Sequence, residues 1–183
     1  MVLLESLPLE IGQKMPIFEL KDPSNTNYSS AALMGKNGLL IKFTCNHCPY
    51  AIAVWDRFIR LADYASSLDI NAVAINPNIH PGYPADSSEN MLKLIAEKKL
   101  IFPYLVDESQ NTARKYQAQC TPDIYLLKPD MSLYYHGRID DNWQQEDMVS
   151  QEELKYALTL LSSDKNAPET QFPSMGCSIK WRQ

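Results

Sequence analysis

Several things are scarce or missing in these 183 residues, and each gap removes a class of function. No run approaches the roughly 20 apolar residues that a membrane-spanning helix needs. Positive charge is short, with 17 Lys and Arg against 22 Asp and Glu and a formal net charge of −5. No basic stretch interleaved with aromatics overrides that balance, so neither nucleic acid nor an anionic membrane is expected as the main partner. Internal repeats and low-complexity segments are missing too. The opening MVLLESLPLEIG has no Lys or Arg ahead of its apolar residues and carries Glu5, which makes it a poor signal peptide. The expectation is a soluble cytoplasmic protein. In that compartment thiols stay reduced, and cysteines serve catalysis or metal binding more often than structure.

What is there reads as one domain over residues 1–165, followed by an aperiodic tail, 166–183, that packs on it. IFEL (17–20) and TNYS (26–29) read as short strands, and the apolar GLLIKFT (38–44) as a buried central strand. A helix is expected from Pro49 to about Leu68, with Ile52, Trp55, Phe58, Ile59, Ala62 and Ala65 on its buried stripe. INAVAIN (70–76) is a second buried strand, and PNIHPGYPADSS (77–88) a turn-rich loop. Asp86 and Glu89 have the spacing of a capping box that opens a helix through MLKLIAEKKL. A strand at FPYLVD (102–107) and a helix at SQNTARKYQA (109–118) follow. DIYLLK (123–128) and SLYYHGR (132–138) read as a hairpin across Pro129-Asp130. Ser150 and Glu153 would cap a last helix burying Leu154, Ala157, Leu158 and Leu161. This order predicts an α/β protein whose parallel sheet gains antiparallel strands on one side.

The chemistry concentrates in FTCNHCPYA (43–51), where a strand gives way to a helix. A Cys-x-x-Cys at such a place suggests a thiol redox site. Pro49 suits the first helical position, where its missing N–H costs nothing. Cys48 then stands at the N-cap, facing free backbone N–H groups and the positive end of the helix. Such surroundings lower a thiol pKa from about 8.5 to between roughly 3.5 and 7.5. Cys48 is therefore read as the attacking thiolate and Cys45 as its resolving partner, provided residue 48 is open to solvent. Two readings stand for His47: a cation that favours the thiolate, or a solvated loop residue. A structural zinc site would need a second closely spaced ligand pair. Cys120 and Cys177 lie far apart in the sequence, so no metal is expected, and no cofactor either.

IGQKMPIFEL, FTCNHCPYA, INPN, FPYLVDESQNTARKYQAQCTPD, GRIDD and GCSIKW together resemble peroxiredoxin-like proteins of the thioredoxin superfamily. These are related to the alkyl hydroperoxide reductase/thiol-specific antioxidant family and carry a Cys-x-x-Cys. The resemblance implies a thioredoxin fold, a central mixed β-sheet flanked by helices, with an N-terminal β extension and a C-terminal tail. It also implies an antioxidant or disulfide-exchanging enzyme with a redox-active disulfide between Cys45 and Cys48. Its partners would be a disulfide-containing protein or small thiol substrate and a cellular thiol reductant. In thioredoxins the nucleophile follows the strand phenylalanine after four residues, and counting from Phe43 lands on Cys48. Where thioredoxin keeps its second cysteine this chain has Ala51. The peroxidase motif Pro-x-x-x-Thr-x-x-Cys fits neither register: Cys48 gives Ile41 and Cys45, and Cys45 gives Gly38 and Lys42. Efficient peroxidase activity is thereby disfavoured, although Arg114 or Arg138 would be available to steady a thiolate.

QCTPD (119–123) resembles the loop in which a cis-proline faces the active cysteine, here Thr121–Pro122. In the family that loop pairs with the backbone of a bound disulfide substrate. Cys120 reads as a core thiol or a further redox thiol. Cys177 reads as inert or as a resolving thiol, in a tail anchored by Phe172, Ile179 and Trp181. The loop with His80 and Tyr83 belongs at the carboxyl ends of the parallel strands, where such sheets bind ligands. The primary reading is a thiol–disulfide oxidoreductase. A slow thiol peroxidase and a non-catalytic binding domain are its alternatives.

Overall fold

The computed structural model describes residues 2–182. In chain order it runs β1 (Leu3–Glu5), β2 (Glu19–Lys21), β3 (Asn27–Ser29), α1 (Ser30–Leu33), β4 (Gly38–Phe43), α2 (Pro49–Ala53) and α3 (Trp55–Ser67). Then come β5 (Ile70–Asn76), α4 (Ser88–Lys98), β6 (Tyr104–Val106), α5 (Asn111–Lys115) and β7 (Cys120–Thr121). β8 (Asp123–Leu127), β9 (Leu133–Gly137), α6 (Glu153–Ser162) and β10 (Met175–Ser178) complete it. Among the described residues no helix is long and apolar enough to cross a membrane.

β4 is buried at all six positions. A strand covered on both faces calls for a near-continuous apolar run, and GLLIKF supplies one everywhere but Lys42. β5 runs parallel to β4 and β6 parallel to β5, while β8 pairs antiparallel on the other side. The sheet order is β3-β2-β6-β5-β4-β8-β9. Side-chain alternation divides the core into two. Leu40, Ala72, Ala74, Ile124 and Leu126 meet Trp55, Phe58, Ala62, Leu154 and Leu158 on one face. Leu39, Ile41, Phe43, Val73, Ile75 and Tyr125 meet Leu33, Ala113 and Tyr116 on the other.

Four expected features take a different form. The helix from Pro49 is broken at Val54, which ends α2 and opens α3 with φ −106° and ψ 8°. The break rotates Ile52 off the buried stripe, leaving it 50% exposed, and turns Ala51 inward instead. The α4 cap is Ser87, whose hydroxyl accepts from the Asn90 N–H; Asp86 is needed elsewhere. Ser150 does not cap α6 but bonds to Asp141, and Glu153 pairs with Arg138. Of the three expected tail anchors only Ile179 is buried; Phe172 and Trp181 stay 39% and 38% exposed.

A second, three-stranded sheet has the order β1-β10-β7. β10 runs antiparallel to both neighbours, with Cys177 opposite Leu3 on one side and Thr121 on the other. The tail thus crosses the molecule where β4 gives way to α2, and it contacts α2 directly.

Candidate active site

Cys48 is the N-cap of α2, with extended backbone (φ −78°, ψ 122°) and Pro49 in the first turn. Its thiol makes no capping bond to α2 and donates instead to the Thr121 carbonyl at 3.1 Å. Cys45 Sγ lies 3.3 Å from the Thr121 hydroxyl. The Thr121–Pro122 peptide is cis. Cys45, Cys48, Ala51 and Cys177 form one buried cluster with Tyr50 packed against it. The structure therefore assembles residues 45, 48, 121, 122 and 177 from three separate stretches of chain.

The two thiols of the Cys-x-x-Cys are displaced in opposite directions. Cys48 is lowered to about 5, first by hydrogen bonding from the Cys45 thiol. Burial opposes this, while the Cys177 thiol and the N–H groups of Ala51 and Cys177 add to it. The sequence points to the helix end as the cause. A five-residue α2 sums few peptide dipoles, and the neighbouring thiol outweighs it. Cys45 is pushed well above the ordinary thiol range by burial, by its bond to Cys48 and by the charge of Asp86.

Lys42, in sequence only one residue of an apolar strand, lies beneath this cluster. Alternation along β4 sends it to the Leu40 face, where Nζ sits 3.9 Å from the Trp55 ring centroid without a hydrogen-bond partner. Burial lowers it to about 7, with the charges of Cys45 and Cys48 acting the other way. A lone lysine inside an otherwise apolar central strand was the available signal.

Asp86 is the second unforeseen residue. It lies in a 3-10 turn (Pro84–Asp86), fully buried. Its carboxylate accepts from the Asn46 N–H at 2.6 Å, from Asn76 Nδ2 at 2.9 Å and from His47 Nδ1. His47 also stacks on Tyr83, with ring centroids 4.5 Å apart, which brings the 77–88 loop to the site. His80 packs edge-on against Tyr83 further out. The ligating atoms of Cys45, His47 and Asp86 lie within 4.8 Å of one another, so these three could hold a metal ion. In the structure His47 Nδ1 pairs with Asp86 and Cys45 with the Thr121 hydroxyl, while His47 Nε2 is buried without a hydrogen-bond partner.

Some expected contributors are placed elsewhere. Cys48 has no exposed surface, so the solvent access that its reading requires is closed off in this conformation. Cys120 donates weakly to the Pro122 carbonyl at 3.7 Å, and burial beside Asp123 drives its pKa sharply upward. Arg114 stacks on Trp181 and bonds to the Arg182 carbonyl. Arg138 is taken up by Glu153 and Phe172. Neither guanidinium is committed to a sulfur.

Comparison with known proteins gives the family and the fold. The AhpC/TSA family model matches residues 11–136. The chain belongs to the AhpC/TSA family. An uncharacterized conserved protein from Geobacillus kaustophilus is 37% identical, with a TM-score of 0.93 over 100% of this chain and 97% of the other. A hypothetical protein from Sinorhizobium meliloti is 30% identical, with a TM-score of 0.91 over 97% and 98%. A putative thiol:disulfide interchange protein DsbE from Chlorobium tepidum gives a TM-score of 0.65 at 15% identity, over 85% of this chain and 99% of that one. At that distance the likeness speaks for the thioredoxin fold alone, which the central mixed sheet and its flanking helices share. No match was found among curated proteins.

Proposed function

We propose that this AhpC/TSA family member is a thiol–disulfide oxidoreductase with Cys48 as the attacking thiolate and Cys45 as the resolving thiol. The observation that carries the reading is the opposed displacement of two adjoining thiols, one held near 5 and the other far above the ordinary range. At neutral pH the first is the anion, which gives up the thiol's bond to the Thr121 carbonyl, and the anion is the nucleophile. Cys48 attacks one sulfur of a substrate disulfide R–S–S–R′, forming a Cys48–S–S–R bond and releasing R′–S⁻. Cys45 then gives up its proton and attacks the Cys48 sulfur, releasing R–S⁻ and closing a Cys45–Cys48 bridge. Lys42, an amine with a pKa of about 7, feels the charge of both thiols, although its Nζ is hydrogen-bonded to neither. A cellular thiol reductant returns two electrons and reopens the bridge, a cycle that suits a reducing, cytoplasmic compartment.

Family membership favours one alternative, slow peroxide reduction ending in a sulfenic acid on Cys48. Disulfide exchange with single Cys→Ser variants at pH 7 tests the primary reading. Cys48→Ser is expected to fall to the uncatalysed rate, and Cys45→Ser to react with the disulfide at Cys48 without forming the Cys45–Cys48 bridge. Full activity in Cys48→Ser would discard the assignment.

A further inference from the structure

Cys48 needs contact with a substrate, yet none of its surface reaches solvent. The element packed over it is β10. An extended peptide recognised by strand addition uses the free backbone edge of its host. Here the edge of β7, immediately before the cis Thr121–Pro122 bond, is already occupied by the chain's own C-terminal segment. Cys177 stands opposite Thr121, the residue whose carbonyl accepts from Cys48 and whose hydroxyl touches Cys45. The Cys177 thiol and its backbone N–H both favour negative charge on the Cys48 sulfur. The approach is close enough to dictate sequence. A Cβ on Gly176 would lie 2.0 Å from the Thr121 carbonyl oxygen, so only glycine lets the strand settle there. On the β7 side the strand is held by two register pairs, Cys177↔Thr121 and Ser178↔Cys120. That is a short ladder, suited to opening locally.

We propose that Met175–Ser178 is a built-in substrate strand and that Cys177 is a third redox thiol, which forms a disulfide with Cys48. The inference rests on the reading of Cys48 as the attacking thiolate. In the step, Cys48 attacks a small-molecule disulfide G–S–S–G, forming Cys48–S–S–G and releasing G–S⁻. Cys177 loses its proton to solvent and attacks the Cys48 sulfur, releasing the second G–S⁻. Two protein thiols are oxidised to one disulfide and G–S–S–G is reduced to two thiols, so electrons balance. Cys177 is held at about 12 mainly by burial and by its bond to Cys48, and both weaken once the mixed disulfide pushes the strand outward. Cys45–Cys48 and Cys48–Cys177 are then alternative bridges on one central sulfur. An external substrate must present an extended, cysteine-bearing segment that replaces β10 on the Thr121 edge.

The full-length protein is treated with one equivalent of glutathione disulfide at pH 7, and its cysteines are mapped by mass spectrometry. Melting curves verify that each variant is folded. In Cys45→Ser the expected product is a Cys48–Cys177 bridge without bound glutathione. In Cys177→Ser it is the Cys45–Cys48 bridge. Gly176→Val, which forces β10 away from Thr121, is expected to speed alkylation of Cys48 at least about tenfold, as for a segment released from a closed state. If folded Cys45→Ser stops at the Cys48–glutathione adduct with Cys177 still reduced, the inference is overturned while the oxidoreductase reading stands. If Cys48 takes up no glutathione even in Gly176→Val, both fall. An alkylation rate unchanged by Gly176→Val would show that β10 is not the cover.

Discussion

Cys45 and Cys48 carry the same side chain within one turn of sequence, and the fold separates them through a shared hydrogen bond. The Cys45 thiol donates to the Cys48 sulfur, so each proton lost from Cys48 is stabilised by one retained on Cys45. Coupling of this kind makes a single-site prediction. Thiolate absorbance near 240 nm should show one thiol titrating with a midpoint near pH 5 in the native protein. Cys45→Ala removes the largest stabilising partner. Its Cys48 midpoint should rise by about 1–2 pH units, since a hydrogen bond to a charged group is worth roughly 1.5–3 kcal/mol. A midpoint left near 5 in Cys45→Ala would shift the credit to the N–H groups of Ala51 and Cys177.

Among the elements, the connection leaving β5 does more than join a strand to a helix. Asp86 ties the Cys-x-x-Cys turn to β5 through Asn46 and Asn76 and holds His47 by its ring nitrogen. Asp86→Asn keeps the shape and removes the charge. Urea unfolding at pH 7 should show a loss of about 1–3 kcal/mol, the cost of leaving buried donors poorly matched. A loss under about 0.5 kcal/mol, the range of ordinary surface changes, would mean the carboxylate is dispensable. This turn also marks where the sequence stopped being informative. β4, β5, the β8–β9 hairpin and the buried stripe of α6 were legible because periodicity and apolar runs encode them locally. Pro49 likewise announces the start of α2. The Thr121–Pro122 loop was legible through its resemblance, but the carboxylate that ties the turn was not, because Asp86 sits 38 residues from Cys48 and imitates a capping box. Lys42 imitates a strand residue of no account until alternation and the placement of Trp55 define its pocket. The pairing of β10 with β7 depends on a tail with no periodicity at all, so only the assembled fold reveals it.

For the whole molecule, these displaced groups shape stability as a function of pH. The native state loses the Cys48 proton near pH 5, whereas the unfolded chain keeps it to about 8.5. Between those limits the unfolded state binds more protons, so stability rises with pH. Lys42 acts in the same sense from about pH 7 up to the ordinary lysine value of about 10.4. Cys45, Cys120 and Cys177 act in the opposite sense. Above about 8.5 they ionise in the unfolded chain but stay protonated in the fold, so stability declines there. Three thiols outweigh one amine, and the maximum should lie near pH 8–9 instead of at neutrality. Lys42→Met removes a buried cation that has no hydrogen-bond partner and leaves a side chain of similar length against Trp55 and Phe58. The desolvation cost it relieves is fully present below pH 7 and shrinks above it. Thermal melts of Lys42→Met should therefore gain at least about 4 °C at pH 6 and distinctly less at pH 9, with ~1 kcal/mol equal to roughly 2–4 °C for a chain of this size. An equal gain at both pH values would mean that Lys42 does not titrate in the native state.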